Sequence, residues 1–324
     1  MRAVVFDAYG PPDVLRLEEV EAPRPDEGQI QVRVEAAAVA AGDWHLLRGD
    51  PFLVRLVFGL TRPRLRTLGS AVAGTVERVG PGVTRFRAGD EVMGDLSDAG
   101  FGGFAEFVTA PEGAFVPKPP SLSFVDGAAL TGSAVTALQG LRDHGRVQPG
   151  ERVLVNGASG GVGTFAVQLA RVLDAEVTGV CSTRNVEMVR SLGADPVVDY
   201  TREDFAAAGP RYDVILDAAA YRPLKDHLRA LRPGGRYVLV GGDVRRMLAV
   251  MIKGPWVSRT SGKRAATFVT KGNPSDLAAI AGLAAEGKIR PALDRTYTLA
   301  QVPEAVRYME TGRARGKVVV LPHA

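Results

Sequence analysis

Residues 153–170, VLVNGASGGVGTFAVQLA, pass from an apolar strand through a glycine-rich turn into an apolar-periodic helix. Val153 to Val155 form the strand, and Val162, Phe165, Ala166 and Leu169 recur at helical spacing after the turn. Gly157, Gly160 and Gly163 are spaced three apart. Residues without Cβ at those places let the turn tighten, let a diphosphate approach the main chain, and let the helix lie close to its strand. The helix N-terminus adds unpaired N–H groups and a partial positive charge. This stretch predicts a dinucleotide site cradled by Gly157, Ala158, Ser159, Gly160, Gly161, Val162 and Gly163; the alternative is a tight βα turn and nothing more.

The turn heads an alternating series. RVLVN is followed by a helix from about 161 to 174, then AEVTGVC, a helix through NVEMVRSLGA, PVVDY, YDVILDAAA, a helix near 223 to 231, and GRYVLVGG. Short apolar runs alternating with helices predict a doubly wound parallel sheet covered on both faces. Before it, residues 1 to about 120 read as short strands punctuated by Gly and Pro, with Ile30, Val32 and Val34 alternating in GQIQVRVEAAAV. They predict a compact, mostly antiparallel β unit. A helical period starts near residue 121, with Ser123 as N-cap, Asp126 at N3 and Gly145 placed to end it. After about residue 262 the pattern is mixed again: Asn273, Pro274 and Asp276 open a helix, another runs from about 301 to 311, and KVVVL is a final strand.

The dinucleotide is chosen at the end of the next strand. An NAD site places an acid about 20 residues beyond the glycines to bind the ribose diol. Here the segment is GVCSTRN, which contains no acid. Ser182 and Thr183 offer hydroxyls and Arg184 a guanidinium, a set that suits a 2′-phosphate, so NADP(H) is the expected cofactor. Arg184 could otherwise simply open the following helix. Cys181 reads as a buried strand-end residue.

Composition excludes several other classes. The chain has 324 residues and 46% hydrophobic content, enough for two soluble domains. One cysteine rules out an internal disulfide, and four scattered histidines lack ligand spacing, so no metal is expected. Its 40 basic and 36 acidic residues are interleaved, so no nucleic-acid partner is expected. No uncharged apolar run is long enough to span a bilayer and the N-terminus lacks a signal-peptide pattern, so a cytoplasmic protein without a membrane partner is expected.

Across nearly its full length the chain resembles the zinc-free branch of the medium-chain dehydrogenase/reductase superfamily, which includes quinone oxidoreductases, ζ-crystallin-like proteins and mitochondrial reticulon-interacting homologues. The carrying segments, in the family's order, are PGVTRFRAGDEV, GGFAEFV, VNGASGGVGTFAVQLA, RSLGADPVVDY, LRPGGRYVLVGG and GRARGKVVV. The resemblance implies a GroES-like β domain from residues 1–120 completed by 262–324, around a Rossmann NADP-binding domain at 121–261. It places Thr136 at the nicotinamide ribose, Tyr200 against adenine unless it is a packed aromatic, Gly241 and Gly242 beside the nicotinamide, and Lys317 near the cofactor.

On the substrate side the chain departs from its relatives. Where they often read SVNPxDW it has AVAAGDW, and where they read LGxDxAG it has LGSAVAG, so Ala40 and Ala71 replace an asparagine and an aspartate. Asp43, Trp44 and His45 remain as catalytic candidates. His45 could bond a substrate oxygen or deliver a proton, or be a packing group; Asp43 could cap a turn; Trp44 could pack or line the pocket. Phe52, Phe58 and Trp256 could line an apolar slot or belong to the core. The implied activity is NADPH-dependent reduction of a quinone or α,β-unsaturated carbonyl. The alternatives are a specialised or redox-neutral reaction on the same fold, or a non-enzymatic nucleotide- or RNA-binding protein. RRMLAVMIKGPWV is apolar enough to pair with a second copy along a sheet edge, which implies a homodimer, or else to form an amphipathic helix.

Overall fold

The computed structural model describes residues 1–324 apart from Ala208, Pro210, Gly242, Asp243 and the side chain of Val244. The N-terminal part contains β1 (Arg2–Val5), β2 (Arg16–Glu19), β3 (Gln29–Val39), α1 (Ala41–Arg48), α2 (Phe52–Phe58), β4 (Ala71–Val79), β5 (Glu91–Asp95), β6 (Phe107–Pro111), β7 (Phe115–Pro117) and α3 (Phe124–Leu130). The middle contains α4 (Ser133–Gln139), β8 (Arg152–Asn156), α5 (Gly161–Val172), β9 (Glu176–Cys181), α6 (Val186–Ser191), β10 (Val197–Asp199), β11 (Tyr212–Asp217), α7 (Leu224–Ala230), β12 (Leu231–Leu239), α8 (Val244–Thr260) and β13 (Arg264–Thr267). The chain ends with α9 (Pro274–Ala285), β14 (Leu293–Thr298), α10 (Val302–Glu310) and β15 (Lys317–Leu321).

Two compact units result, Met1–Ser133 with Gly272–Ala324, and Ala134–Lys271. Both crossings lie later in the chain than the expected 120/121 and 261/262. Packing explains why: α3 rests on β3 and β4 of the first unit, and β13 pairs with β12 of the second.

In the first unit a sheet of order β14-β15-β3-β4-β5-β7, with β6 also on β3, is antiparallel except for the β14–β15 pair. Period-two alternation drives its inner face: Ile30, Val32 and Val34 are buried while Arg33 is exposed. The run Ala36, Ala37 and Ala38 is buried on both faces, and its small side chains admit α3, itself carrying Ala128 and Ala129. Phe104 and Phe115 fill the core, each contributing about 1.5–3 kcal/mol through burial.

The second unit is a six-stranded, all-parallel sheet of order β10-β9-β8-β11-β12-β13, the doubly wound arrangement with its switch point between β8 and β11. Its strands are nearly continuous apolar runs, as a sheet covered on both faces requires.

Two local expectations are corrected. The single helix expected from 121 to 145 is broken, because Thr131 is extended (ψ 140°) and Gly132 takes φ +74°. The Thr131 hydroxyl donates to the Gly127 carbonyl at 2.9 Å and closes α3 there. α1 and α2 stand where only strands and turns were expected. Of the two readings of RRMLAVMIKGPWV the structure takes the helical one, within α8, and the sheet edge is taken by β13. Among the described residues, no helix is long and apolar enough to cross a membrane.

Candidate active site

The second unit builds its site at the C-terminal ends of β8, β9 and β11. Asn156 closes β8 beside Asp217 of β11, and its Nδ2 donates to Asp217 Oδ1 at 2.8 Å. Asp217, wholly buried, also accepts the N–H groups of Ala219 (3.0 Å) and Ala220 (2.9 Å) and the Tyr237 hydroxyl (2.8 Å). A buried carboxylate needs such partners, and these lock three strand ends together at the switch point. His227 Nε2 lies 3.2 Å from Asp217 Oδ2 but makes no aligned hydrogen bond. Burial holds this imidazole below its usual pKa, so it is neutral and the contact is no ion pair.

Beyond Asn156 the turn folds back on β9. The N–H groups of Gly157 and Ala158 both point to the Val180 carbonyl, at 3.2 and 3.0 Å, and Gly157 takes φ +80°. Gly160 is the N-cap, in an extended conformation, and α5 begins at Gly161. The first N–H groups of α5, those of Gly161, Val162 and Gly163, have no carbonyl four residues back within the helix. The glycines differ in purpose. A Cβ on Gly163 would lie 2.0 Å from the Gly157 carbonyl oxygen and one on Gly157 would lie 2.9 Å from Ala219 Cβ, whereas one on Gly160 would find nothing closer than 3.5 Å. Gly157 and Gly163 are demanded by packing, and Gly160 faces open space. A cradle of bare amides at a helix N-terminus, with open space beside Gly160, fits a dinucleotide diphosphate.

A residue the sequence reasoning passed over shapes the neighbouring hydroxyls. Asn185, buried, donates through Nδ2 to Ser159 Oγ (3.0 Å) and Ser182 Oγ (3.3 Å), tying the glycine turn to the end of β9. Because the serines accept from Asn185, their own protons are left to donate elsewhere, the polarity an anion needs. Asn185 Oδ1 is buried without a hydrogen-bond partner. The signal was present as a polar residue at the strand–helix junction, three positions past Ser182. Thr183 behaves differently, since its hydroxyl donates to Asp199 Oδ2 at 2.6 Å. Asp199, the acid of VVDY, also accepts the Thr201 hydroxyl (2.8 Å) and N–H (3.0 Å), and the Thr183 bond leads in holding its pKa below the usual range. Parallel pairing places Asp199 opposite Cys181. An acid therefore stands at the end of β10, but its oxygens are already taken by hydroxyls and an amide. Arg184 is exposed, as is Tyr200, which is 56% accessible and so not a packed aromatic.

Of the remaining cofactor candidates, Thr136 Oγ1 lies 2.8 Å from Thr270 Oγ1. Gly241 takes φ +85° with open space around a would-be Cβ. Gly242 lies outside the described residues.

Lys317 and Asp43 meet in the first unit, with a third group the sequence did not flag. The Lys317 ammonium is 2% exposed, donates to Ser133 Oγ at 3.0 Å and feels Asp43 and Asp95. Burial pulls it down to about 8 against the pull of both carboxylates. Asp43, 1% exposed, accepts the N–H groups of Ala40 (2.7 Å) and Gly69 (3.0 Å), and burial pushes it up to about 6. Burial likewise raises Asp95, which accepts the Ser97 N–H. Asp43 thus fastens the start of α1 to the loop at Gly69. It forms only half of a capping box, because Ala40 has no side-chain acceptor to reciprocate.

His45 stacks on Trp44 with ring centroids 3.6 Å apart, and Trp44 packs against the core of this unit. His45 Nδ1 lies 2.9 Å from the Asp50 carbonyl, which can only accept, so Nδ1 carries the proton and Nε2 is an acceptor. Burial lowers its pKa, keeping it neutral at pH 7. Phe58 packs onto the core, edge-on to Phe101, while Phe52 is 61% exposed.

Comparison with known proteins adds the context. Residues 26–120 match the alcohol dehydrogenase GroES-like domain family and residues 192–320 the zinc-binding dehydrogenase family. The chain is 33% identical to the chloroplastic quinone-oxidoreductase QR1 of Triphysaria versicolor, over 99% of this chain and 98% of that one. It is 32% identical to the chloroplastic NADPH-dependent alkenal/one oxidoreductase of Arabidopsis thaliana, over 99% and 80%. The structure of the quinone oxidoreductase from Coxiella burnetii superposes with a TM-score of 0.88 at 28% identity, covering 99% of both chains. The zinc in the second family's description does not fit the residues here. Among the described residues no three His, Cys, Asp or Glu side chains gather where they could hold a metal, and Cys181 is buried alone at the end of β9. With a GroES-like first unit, a Rossmann second unit and full-length similarity to quinone oxidoreductases, the chain belongs to the medium-chain dehydrogenase/reductase superfamily, in its zinc-free quinone oxidoreductase branch.

Proposed function

We propose that the protein is an NADPH-dependent reductase of quinones and α,β-unsaturated carbonyls, acting without a metal. The observation that carries the cofactor is the arrangement around Asn185: it donates to Ser159 in the bare-amide turn and to Ser182 at the end of β9, two residues before Arg184, which leaves both serine protons to donate to an anion. The substrate class is supported by relatives named as a quinone oxidoreductase and an alkenal/one oxidoreductase. NADPH, when bound, supplies a hydride to an electrophilic carbon.

The chain's own residues hold and orient. Amides of Ser159 to Gly163 receive the diphosphate, Ser182 and Arg184 receive the 2′-phosphate, and Tyr200 offers an exposed ring to adenine. Thr136 and Gly241 serve the nicotinamide end. Asp43 fixes α1, and with it Trp44 and His45, in the first unit. His45 Nε2 is an acceptor at neutral pH, so the proton that completes reduction comes from water rather than from this imidazole. Such chemistry asks for orientation of cofactor and substrate more than for a side-chain acid.

NADPH oxidation followed with a panel of simple quinones and short enones tests the reading. Turnover with either class, retained by His45→Phe within about tenfold, is expected. Cofactor binding without turnover on any member of the panel would refute it.

A further inference from the structure

The second unit exposes an apolar face on α8 that the dinucleotide site at the ends of β8, β9 and β11 does not include. α8 seats itself on β13 through an inner face of Val250, Gly254 and Val257. The seat is close, since a Cβ on Gly254 would lie 2.4 Å from the Ala265 carbonyl oxygen. The opposite face is also apolar. Leu248 (40% exposed), Met251 (61%), Ile252 (75%) and Trp256 (68%) follow one another on successive turns of this 17-residue helix. Single exposed apolar residues are ordinary, but four in one stripe mark a surface meant to be covered.

Charge indicates the cover. α8 carries Arg245, Arg246, Lys253 and Arg259 and no acidic residue, and the sequence stays free of Asp and Glu until Asp276. A second copy docked helix to helix about a twofold axis would set these cations against their own kind. An anionic lipid surface complements them: the apolar stripe enters the headgroup boundary, Trp256 sits at its level, and the Lys and Arg stems reach out to phosphates. The same chemistry recurs independently in the first unit. There α2 exposes Phe52, Leu53, Leu56 and Val57 around Arg55, in a stretch without an acid from Pro51 to Val76.

We propose that α8 is an in-plane anchor that docks the protein on an anionic membrane surface. This replaces the sequence-based expectation of no membrane partner, and it stands apart from the proposed reductase chemistry.

The test uses the full-length protein, without cofactor, and vesicles of phosphatidylcholine alone or with about one third phosphatidylglycerol. Flotation and Trp emission are read together. The expected result is at least about tenfold stronger partition onto the anionic vesicles, weakened by salt, with a blue shift that Trp256→Phe abolishes. The exposed pair Ile252→Ser/Trp256→Ser should lose partition by a similar factor with its thermal midpoint unchanged. Lys253→Glu/Arg259→Glu, which leaves the apolar stripe intact, should lose only the preference for anionic lipid. Equal partition on both vesicle types, no partition at all, or a dimer in solution that Ile252→Ser/Trp256→Ser converts to monomer would overturn the proposal, the last assigning the stripe to a second copy. Because no turnover is read, failure here leaves the reductase reading standing, and the reverse.

Discussion

Asn185 makes no contact that composition or periodicity would flag, yet it determines which way two hydroxyls donate. Replacing it by aspartate reverses that polarity: the carboxylate accepts from Ser159 and Ser182 and adds a negative charge where a phosphate is to sit. Asn185→Asp should weaken NADPH about tenfold or more, roughly 1.4 kcal/mol, while NADH, which lacks the 2′-phosphate, changes much less; calorimetric titration of both cofactors checks it. Ser182 and Arg184 were legible because they follow a strand end in sequence. Asp199 was not, because only the parallel pairing of β10 with β9 brings it alongside Cys181.

Lys317 gives a second residue-scale prediction. Its folded pKa of about 8 lies below the 10.5 of an unburied lysine, so the unfolded chain binds more protons in that window. Stability linked to Lys317 is therefore fully present above pH 10.5 and lost as pH falls through 8. Asp43 runs the other way: its contribution is full below pH 3.8 and lost as pH rises through 6. Lys317→Met should abolish the rise in unfolding free energy between pH 8 and 10.5, and should move the Asp43 transition above 6 by removing its cation. Urea unfolding across pH reads both, and an unchanged profile in the variant would contradict the assignment.

At the scale of elements, the strand–turn–helix of β8 and α5 was readable from glycine spacing, but the spacing did not distinguish the glycines. Gly163→Ala drives a Cβ onto backbone and should cost on the order of 3 kcal/mol together with NADPH binding, whereas Gly160→Ala, at φ −86°, should leave the thermal midpoint nearly unchanged. Differential scanning calorimetry separates them. Caps were equally legible: Ser123 accepts from Asp126 N–H, and Asn273 from the N–H groups of Ser275 and Asp276. The break at Thr131 and Gly132 was hidden because the apolar period continues on either side of it. α1 and α2 were hidden because seven or eight residues hold too few turns to establish a period.

Sheet register also changes the meaning of Ala71. In sequence it looks like a lost aspartate; in the sheet it stands directly across from Asp95, whose half-buried carboxyl is already under the influence of the Lys317 charge. Ala71→Asp would place two carboxylates opposite each other at a 2% exposed position. It should destabilise by on the order of 3 kcal/mol, read by denaturant midpoint, rather than restore a missing function. A variant as stable as the parent would show that the site takes a second acid.

For the molecule as a whole, the parallel, doubly wound sheet follows from alternating strands and helices, so the second unit was visible in outline, though its order β10-β9-β8-β11-β12-β13 was not. The first unit was harder. Its closing strand β15 pairs with β3, Val318 opposite Val39, and only the long excursion of the chain through the second unit separates the partners. No local pattern encodes such a pairing. It nevertheless carries the buried Lys317 within electrostatic reach of buried Asp43 and half-buried Asp95.

The central claim is that the β8–α5 turn and the end of β9 select a dinucleotide with a 2′-phosphate. A paired titration of NADPH and NADH into the wild-type protein at one salt concentration tests it. The account predicts tighter NADPH binding by about tenfold or more, a preference that shrinks as salt screens the added phosphate. Equal affinities, or a preference for NADH, would contradict it.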